Sequence, residues 1–546
     1  MNTLSAEAAV LSRIAKGEKV DQSDIVPFLM GSATSDRQAA NLRFAEAYAA
    51  AGATEAALAL VRRAFDLDRF NVEVFNLAYR LMLTLNRLEE LVAVVRESIV
   101  MAAEARETQI VYELFAAFNN FIGQWPSLPA PKPEPHSDRL IAWAMELTFG
   151  ADGPPLAADV LGGRKIRVGV MLAGDAAEES ALVRAALGFL KHHDTTRFEV
   201  YVYSYLSAEA IAASNPQYAK WIADFQSWGC TFRHGMPGTG LPKILATHKS
   251  ILLDRLDVLV FNLLVGDYHV LALLRPAPVI VGAIHGNPKG YSMRRIDGAL
   301  ATDAHSHMES LAWSAFITPA VDFESLMPPS KDGTVVTRAD LAIPANAIVV
   351  MTAGRDYKFG GADFWHSVER VLRGNPAAIW VCCGIDANHP GTVGASVSEE
   401  VRSRLRFVPW RKDFVWNVLP LADVVVDTFP AGGAFTIFWA MRIGRPCVSF
   451  RSNYLKPFHQ LDWSPAFRVV GREDLAIAHG DLDGLVDRVS ELIRDPAERR
   501  ALGEACQLSV AVLDDHRRFA RDVGDALIAA IKRKQAQRTK SKAPGP

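Results

Sequence analysis

From Lys165 onward, short apolar runs alternate with amphipathic ones, and the whole alternation occurs twice. The first series opens with "KIRVGVML", passes through the loop "AGDAAEES" and the helical stretch "ALVRAALGFLKHH", and reaches "FEVYVYSY". It continues through the helical "PKILATHKSILLDR" to the strands "LDVLVFNL" and "VIVGAIH". The second begins at "NAIVVMTAG", followed by helix "GADFWHSVERVLRG" and the strands "AIWVCCG", "RLRFVPW", "DVVVDTF" and "PCVSF". Strands apolar on both faces, with a helical run between one and the next, predict a parallel sheet covered on both sides. Two such series in succession predict two Rossmann-like domains with a cleft between them. Ligands are expected at the carboxyl ends of the strands.

The chain before this point is of another kind. Its first 120 or so residues carry helical periodicity and almost no strand signal. Ala47-Tyr48 recurs as Ala78-Tyr79, and "LVRRA" recurs as "VVRES" 34 residues on. That spacing fits helix-turn-helix repeats of the tetratricopeptide kind, and a plain helical bundle fits it equally well. The stretch "GQWPSLPAPKPEPHSD", Gly123 to Asp138, reads as an extended connector. The expected class is therefore α/β, with two Rossmann-like domains behind an all-α domain. The expected boundaries are 1–137 for the helical domain and linker, 138–330 and 331–533 for the two sheets, and 534–546 for a basic disordered tail. A length of 546 residues is too great for one core.

Composition narrows the partners. A formal charge of −2 and 22% charged residues argue against a nucleic-acid-binding body. The exception is the C-terminus, where six Lys/Arg fall between Lys532 and Lys542. The five cysteines form neither a disulfide framework nor a zinc pair, and Cys382-Cys383 read as small buried hydrophobes. The N-terminus has charges in every apolar stretch, and no run of about 18 apolar residues occurs, so no signal peptide or membrane span is expected. A cytoplasmic protein is the simplest expectation.

Gly and Pro concentrate at predicted strand ends. In "VVVDTFPAGGAFTIFWAMRIGRP", Gly432-Gly433 stand between a strand and a helix. Such a turn either lets backbone N–H groups reach a phosphate at a helix start or simply makes the tight turn that a βα unit needs. In "AGRDYKFGGADFW", Lys358 follows a strand end within six residues, placed to neutralise a diphosphate or to remain a solvated loop lysine. In "LRPAPVIVGAIHGNPKG", a rigid Pro-rich approach leads to a strand ending in His285-Gly286-Asn287-Pro288, an acceptor- or sugar-facing candidate loop that includes Asn287. "AHSHM" places His305 and His307 two apart with no evident third ligand, so no metal is expected.

At these stretches the sequence resembles the O-GlcNAc transferase family, including the bacterial cytoplasmic N-glycosyltransferases. The resemblance spans about Lys165 to Lys532 and rests on "LRPAP", "GNP", "YK" before a helix, and "ADVVVDTFPAGG" ending in "GRP". It implies the GT-B arrangement and metal-independent transfer from a nucleotide sugar, a UDP-linked hexose or HexNAc, to Asn or Ser/Thr of a protein presented by the helical domain. No cofactor is implied beyond that donor. By the same resemblance Lys358, beside Tyr357, meets the donor diphosphate. Trp410, Arg411 and Lys412 hold the base, and Gly432, Gly433 and Thr436 receive the phosphates.

The pattern also departs from the family. Ala434 stands where many members have a phosphate-binding histidine, and Trp439 where they have the aspartate that holds the ribose. Asp257 replaces another histidine, and the "AGDAAEES" loop offers only Asp175 and Glu178 as acids. If the chain is an enzyme, Lys358 and the glycine amides stabilise the leaving group, and His285 or Asp175 is the base. Two alternatives stay open: GT-B chemistry on a glycan or lipid-linked acceptor, and a non-catalytic homologue acting as a binding protein.

Overall fold

A computed structural model describes residues 3–542 apart from 31–32, 86, 124–137, 173–180, 215–217, 263–265, 285–295, 302–313, 318, 322–334, 360–361, 389–396, 412, 430–431 and 452–463. The chain begins with helices α1 (Thr3–Ala15), α2 (Gln22–Leu29), α3 (Thr34–Ala50), α4 (Thr54–Leu67), α5 (Val72–Thr84), α6 (Leu88–Glu104), α7 (Thr108–Gly123) and α8 (Arg139–Phe149). Turns of three or four residues join α3 through α7, so successive helices pack side by side. At one of them Gly52 takes φ +76°, the left-handed conformation glycine adopts without penalty, and Ala53 N closes the turn on Tyr48 O at 2.8 Å. The 34-residue spacing is visible in the packing. Val61 on α4 and Val95 on α6 are both fully buried, and so are Ala64 and Ser98. Arg62 on α4 pairs with Glu90 on α6, and Arg69 in the turn after α4 pairs with Glu97 on α6 at 2.7 Å.

Both predicted sheets are present and wholly parallel among the described strands. The first orders β3 (Cys230–Arg233), β2 (Phe198–Tyr203), β1 (Ile166–Met171), β4 (Val258–Phe261), β5 (Val279–Ile284), β6 (Gly298–Ala301) and β7 (Ser314–Phe316). The second orders β10 (Leu405–Val408), β9 (Ala378–Cys383), β8 (Ile348–Ala353), β11 (Val424–Val426) and β12 (Cys447–Val448). Alternation along the strands sends neighbouring side chains to different cores. Leu259 and Tyr203 pack with Phe115 of α7 and Met145 of α8, whereas Val168, Val200 and Val258 pack on the other face with Leu190 and Leu527. The helical domain is thus fused to one face of the first sheet.

Two boundaries differ from the sequence reading. Helix α8, expected to begin the first α/β domain, buries Ile141, Ala144 and Met145 in the core shared with the helical domain, and its N-cap Asp138 pairs with Arg96 of α6 at 2.6 Å. The expected disordered tail from 534 is helical through Lys542, part of one helix running from His516. That helix leaves the second domain and returns to the first, burying Phe519, Val523, Leu527 and Ile531 there. Lys534 reaches Asp297 at 2.6 Å, and Arg538 Nη1 donates to Leu156 O at 2.9 Å. Basic residues in this segment serve as anchors because Asp297 and a free carbonyl lie under them. No described helix is long and apolar enough to cross a membrane.

Candidate active site

Chain order in the second sheet reverses between β8 and β11, so their carboxyl ends open side by side with no crossover helix above them. β8 leaves through Gly354 into a single 3-10 turn, Asp356–Phe359. Phe359 is fully buried against Phe364 and Trp365, and Trp365 Nε1 donates to Phe359 O at 2.8 Å. That anchor fixes the turn and holds Lys358 over the sheet end. Two glycines let the exit pack closely. A Cβ on Gly384 (φ +107°) would stand 1.9 Å from Gly354 O, and one on Gly354 would stand 3.1 Å from the Thr428 methyl.

β11 leaves through Asp427, whose side chain is withdrawn from solvent and saturated with donors. Its Oδ1 accepts from Thr428 N and Gly433 N, each at 2.8 Å, and its Oδ2 from Ser449 Oγ at 2.9 Å. Ser449 Oγ in turn lies 2.8 Å from Ser464 Oγ. Burial pushes the Asp427 carboxyl up to about 6, against the opposing pull of Lys358 and the three donors. Burial likewise holds the Lys358 ammonium below the ordinary lysine range, with Asp427 pulling it back up. Lys358 Nζ donates to Gly432 O at 2.8 Å. The lysine and the glycine turn, 74 residues apart in sequence, are therefore in direct contact.

The helix that follows the turn, Phe435–Arg442, starts without a side-chain cap, since its N-cap residue is Ala434. Its first-turn amides point out of the helix with no side-chain oxygen from that position to receive them, an arrangement that suits an anion. Thr436 belongs to this first turn and is half-buried.

The other predicted residues are distributed unevenly. Trp410, just past β10, is 53% exposed, and the Arg355 guanidinium lies 5.6 Å from its ring centroid. Arg411 is held in a fork by Asp413, Nε to Oδ1 and Nη2 to Oδ2 at 2.7 Å each, and Asn417 supports the same carboxylate. Trp439 is 4% exposed and packs edge-on against Trp416 at 5.4 Å in the second domain's core. Tyr357 lies in the turn beside Lys358. His285, Asn287, Asp175, Glu178, Lys412, His305 and His307 lie outside the described residues.

Asp257, read as a replacement in the first domain's site, stands instead at the amino end of β4. There its carboxylate is pinned by Arg164 at 2.7 and 2.8 Å and by Arg167 N at 2.9 Å. Sequence reasoning did not single out Arg355, Ser449 or the clamp role of Asp427. An acid ending an all-valine strand beside a glycine turn is the signal that points to the last.

No family model and no curated protein matches the chain. Among solved structures, a lysine-to-methionine mutant of Thermobaculum terrenum O-GlcNAc transferase is similar at 17% identity, with a TM-score of 0.58 over 98% of this chain and 99% of that one. The apo lipopolysaccharide outer core galactosyltransferase WaaB has 11% identity and a TM-score of 0.43 over 67% of this chain and 99% of that one. At such identity the first likeness is one of fold. A helical domain followed by two Rossmann-like halves in the GT-B arrangement is the architecture of this chain.

Proposed function

We propose that the protein is a metal-independent glycosyltransferase that takes a sugar from a nucleotide donor, a UDP-linked hexose or HexNAc, and places it on Asn or Ser/Thr of a protein. The observation that carries this reading is the contact of Lys358 Nζ with Gly432 O at the switch point of the second sheet. A donor diphosphate entering there exchanges a carbonyl for a far stronger acceptor of the lysine's charge. The uncapped amides of the following helix then face the same phosphates. Departure of the nucleoside diphosphate leaves negative charge where these groups already point, which is how a fixed site lowers a barrier. Trp410, stacked by Arg355, offers a flat surface for the base. The acceptor's proton falls to a group of the first domain, with His285 and Asp175 as candidates, and the helical domain, read as tetratricopeptide-like, presents the polypeptide.

One observation favours a second reading, a homologue that binds a partner through the helical domain and does not transfer a sugar. In this structure the gripping groups are engaged by the protein itself: Gly433 N by Asp427, and Lys358 by Gly432. Calorimetric titration of UDP, GDP and dTDP into wild type and Lys358→Ala separates the two. The transferase reading expects one nucleotide, UDP, to bind, and the variant to bind it at least about 10-fold more weakly. Absence of nucleotide binding to the wild type sinks it. Mass spectrometry of co-expressed proteins then distinguishes a protein acceptor from a glycan or lipid-linked one.

A further inference from the structure

At the opposite end of the first sheet, under the amino ends of β1, β4 and β5, lies a cavity of about 600 Å³. Arg164, Lys165, Arg167 and Arg255 line it, with Glu199 and Asp257 as the acids, four cations against two carboxylates. The acids are already matched. Asp257 takes both nitrogens of the Arg164 fork, and Glu199 receives Arg167 Nε at 3.1 Å. The adjacent Asp254 is no help to Arg255, because Arg233 at 2.7 and 3.0 Å and Tyr203 OH at 2.6 Å occupy its oxygens. Asp159 lies 3.7 Å from Arg164 Nε, so a third carboxylate adjoins the cluster. Among the described residues the side chains of Lys165 and Arg255 take no hydrogen bond or ion pair, which leaves two cations uncommitted beside the cavity.

Its backbone is shaped for the purpose. Arg255 adopts φ +48°, a left-handed conformation that costs a side-chain-bearing residue energy, immediately after the helix Gly240–Leu253. Glycine is the usual occupant of that position. The arginine there carries a backbone cost, and its exposed side chain is left uncommitted by the protein. The remaining wall is apolar and stiff, with Leu252, Leu256 and Pro276 beside the cations. Arg538 of the last helix is tied down next to this wall, donating to Leu156 O.

We propose that this cavity binds a small phosphate-bearing molecule, its phosphate between Lys165 and Arg255 and its organic part against Leu252 and Leu256. The site is separated from the cleft by the full length of the strands. It does not depend on what the cleft transfers.

The test uses the full-length chain carrying Lys358→Ala, so that the cleft lacks the lysine that would meet a diphosphate, and titrates inorganic pyrophosphate calorimetrically at low ionic strength. One equivalent is expected to bind. Lys165→Ala and Arg255→Gly, each added to that chain, are expected to weaken binding roughly 10-fold. Arg255→Gly is also expected to keep or raise the melting temperature, because glycine relieves the left-handed backbone. That separates loss of the site from loss of the fold. No binding to the starting chain overturns the proposal, and so does unchanged affinity in both variants.

Discussion

Asp427 is the residue on which the candidate site turns. A wholly buried carboxylate with three donors holds the glycine turn in place and faces the lysine that would meet a donor phosphate. Its raised titration has a defined consequence for stability. Between the unfolded value of 3.8 and about 6, the folded chain keeps a proton that the unfolded chain has lost. This group's contribution is therefore full below pH 4 and falls as the pH rises through 6. Asp427→Asn cannot titrate, so the stability of wild type relative to the variant should fall between pH 4 and pH 7, by no more than about 3 kcal/mol. Urea unfolding of both proteins at pH 4.5 and pH 7 checks the sign, and a gap that widens with pH would show that the carboxylate is ionised throughout. The amide variant also leaves Ser449 to reorient and loosens the hold on Gly433 N, so nucleotide affinity should fall even where stability does not.

At the scale of elements, the site depends on how closely the ends of β8 and β9 approach. Gly384 sits where a methyl group would lie 1.9 Å from Gly354 O, with a backbone angle that only glycine takes freely. Gly384→Ala must push the exit of β8 outward, and with it the turn carrying Lys358. We expect a loss of about 3 kcal/mol from strain and displaced packing, together with weakened nucleotide binding. Thermal unfolding and calorimetry on this variant decide the matter, and an alanine tolerated at full affinity would mean that the exit of β8 is not a rigid mount. The sequence makes the central strands legible because β4, β8, β9 and β11 are uncharged apolar runs, each bounded on at least one side by Gly or an acid. It does not reveal β3, β6 and β7. "GALA" and "SAF" carry little strand preference of their own, "CTFR" is only four residues long, and all three are strands because a neighbouring strand offers its edge. The resemblance already sets the glycine turn and Lys358 on one diphosphate, but their direct contact across 74 residues is a property of strand order, which no local pattern encodes.

The whole molecule is tied together at its end rather than at its middle. The helix His516–Lys542 follows the second domain in sequence, stacks His516 on His192 of the first domain at 5.5 Å, and then covers part of one face of the first sheet. Its surface contacts include Arg197 with Asp525 at 3.0 Å and Lys534 with Asp297 at 2.6 Å. The exposed Arg197–Asp525 pair contributes little, and the burial of Phe519, Val523, Leu527 and Ile531 against Val168, Val200 and Leu190 contributes most. One face of the first sheet is therefore covered jointly by Leu187, Phe189 and Leu190 from within the domain and by the helix that follows the second domain. Leu527→Ala, at a fully buried position, should cost about 2–5 kcal/mol from lost contacts and the cavity left behind. The loss should fall on the first domain, although the residue follows the second in sequence. Hydrogen exchange provides the measurement. Amides of β1 and β2 should lose protection in the variant, while those of β8 and β9 keep theirs. The reverse pattern would mean that the last helix belongs energetically to the second domain and only rests upon the first.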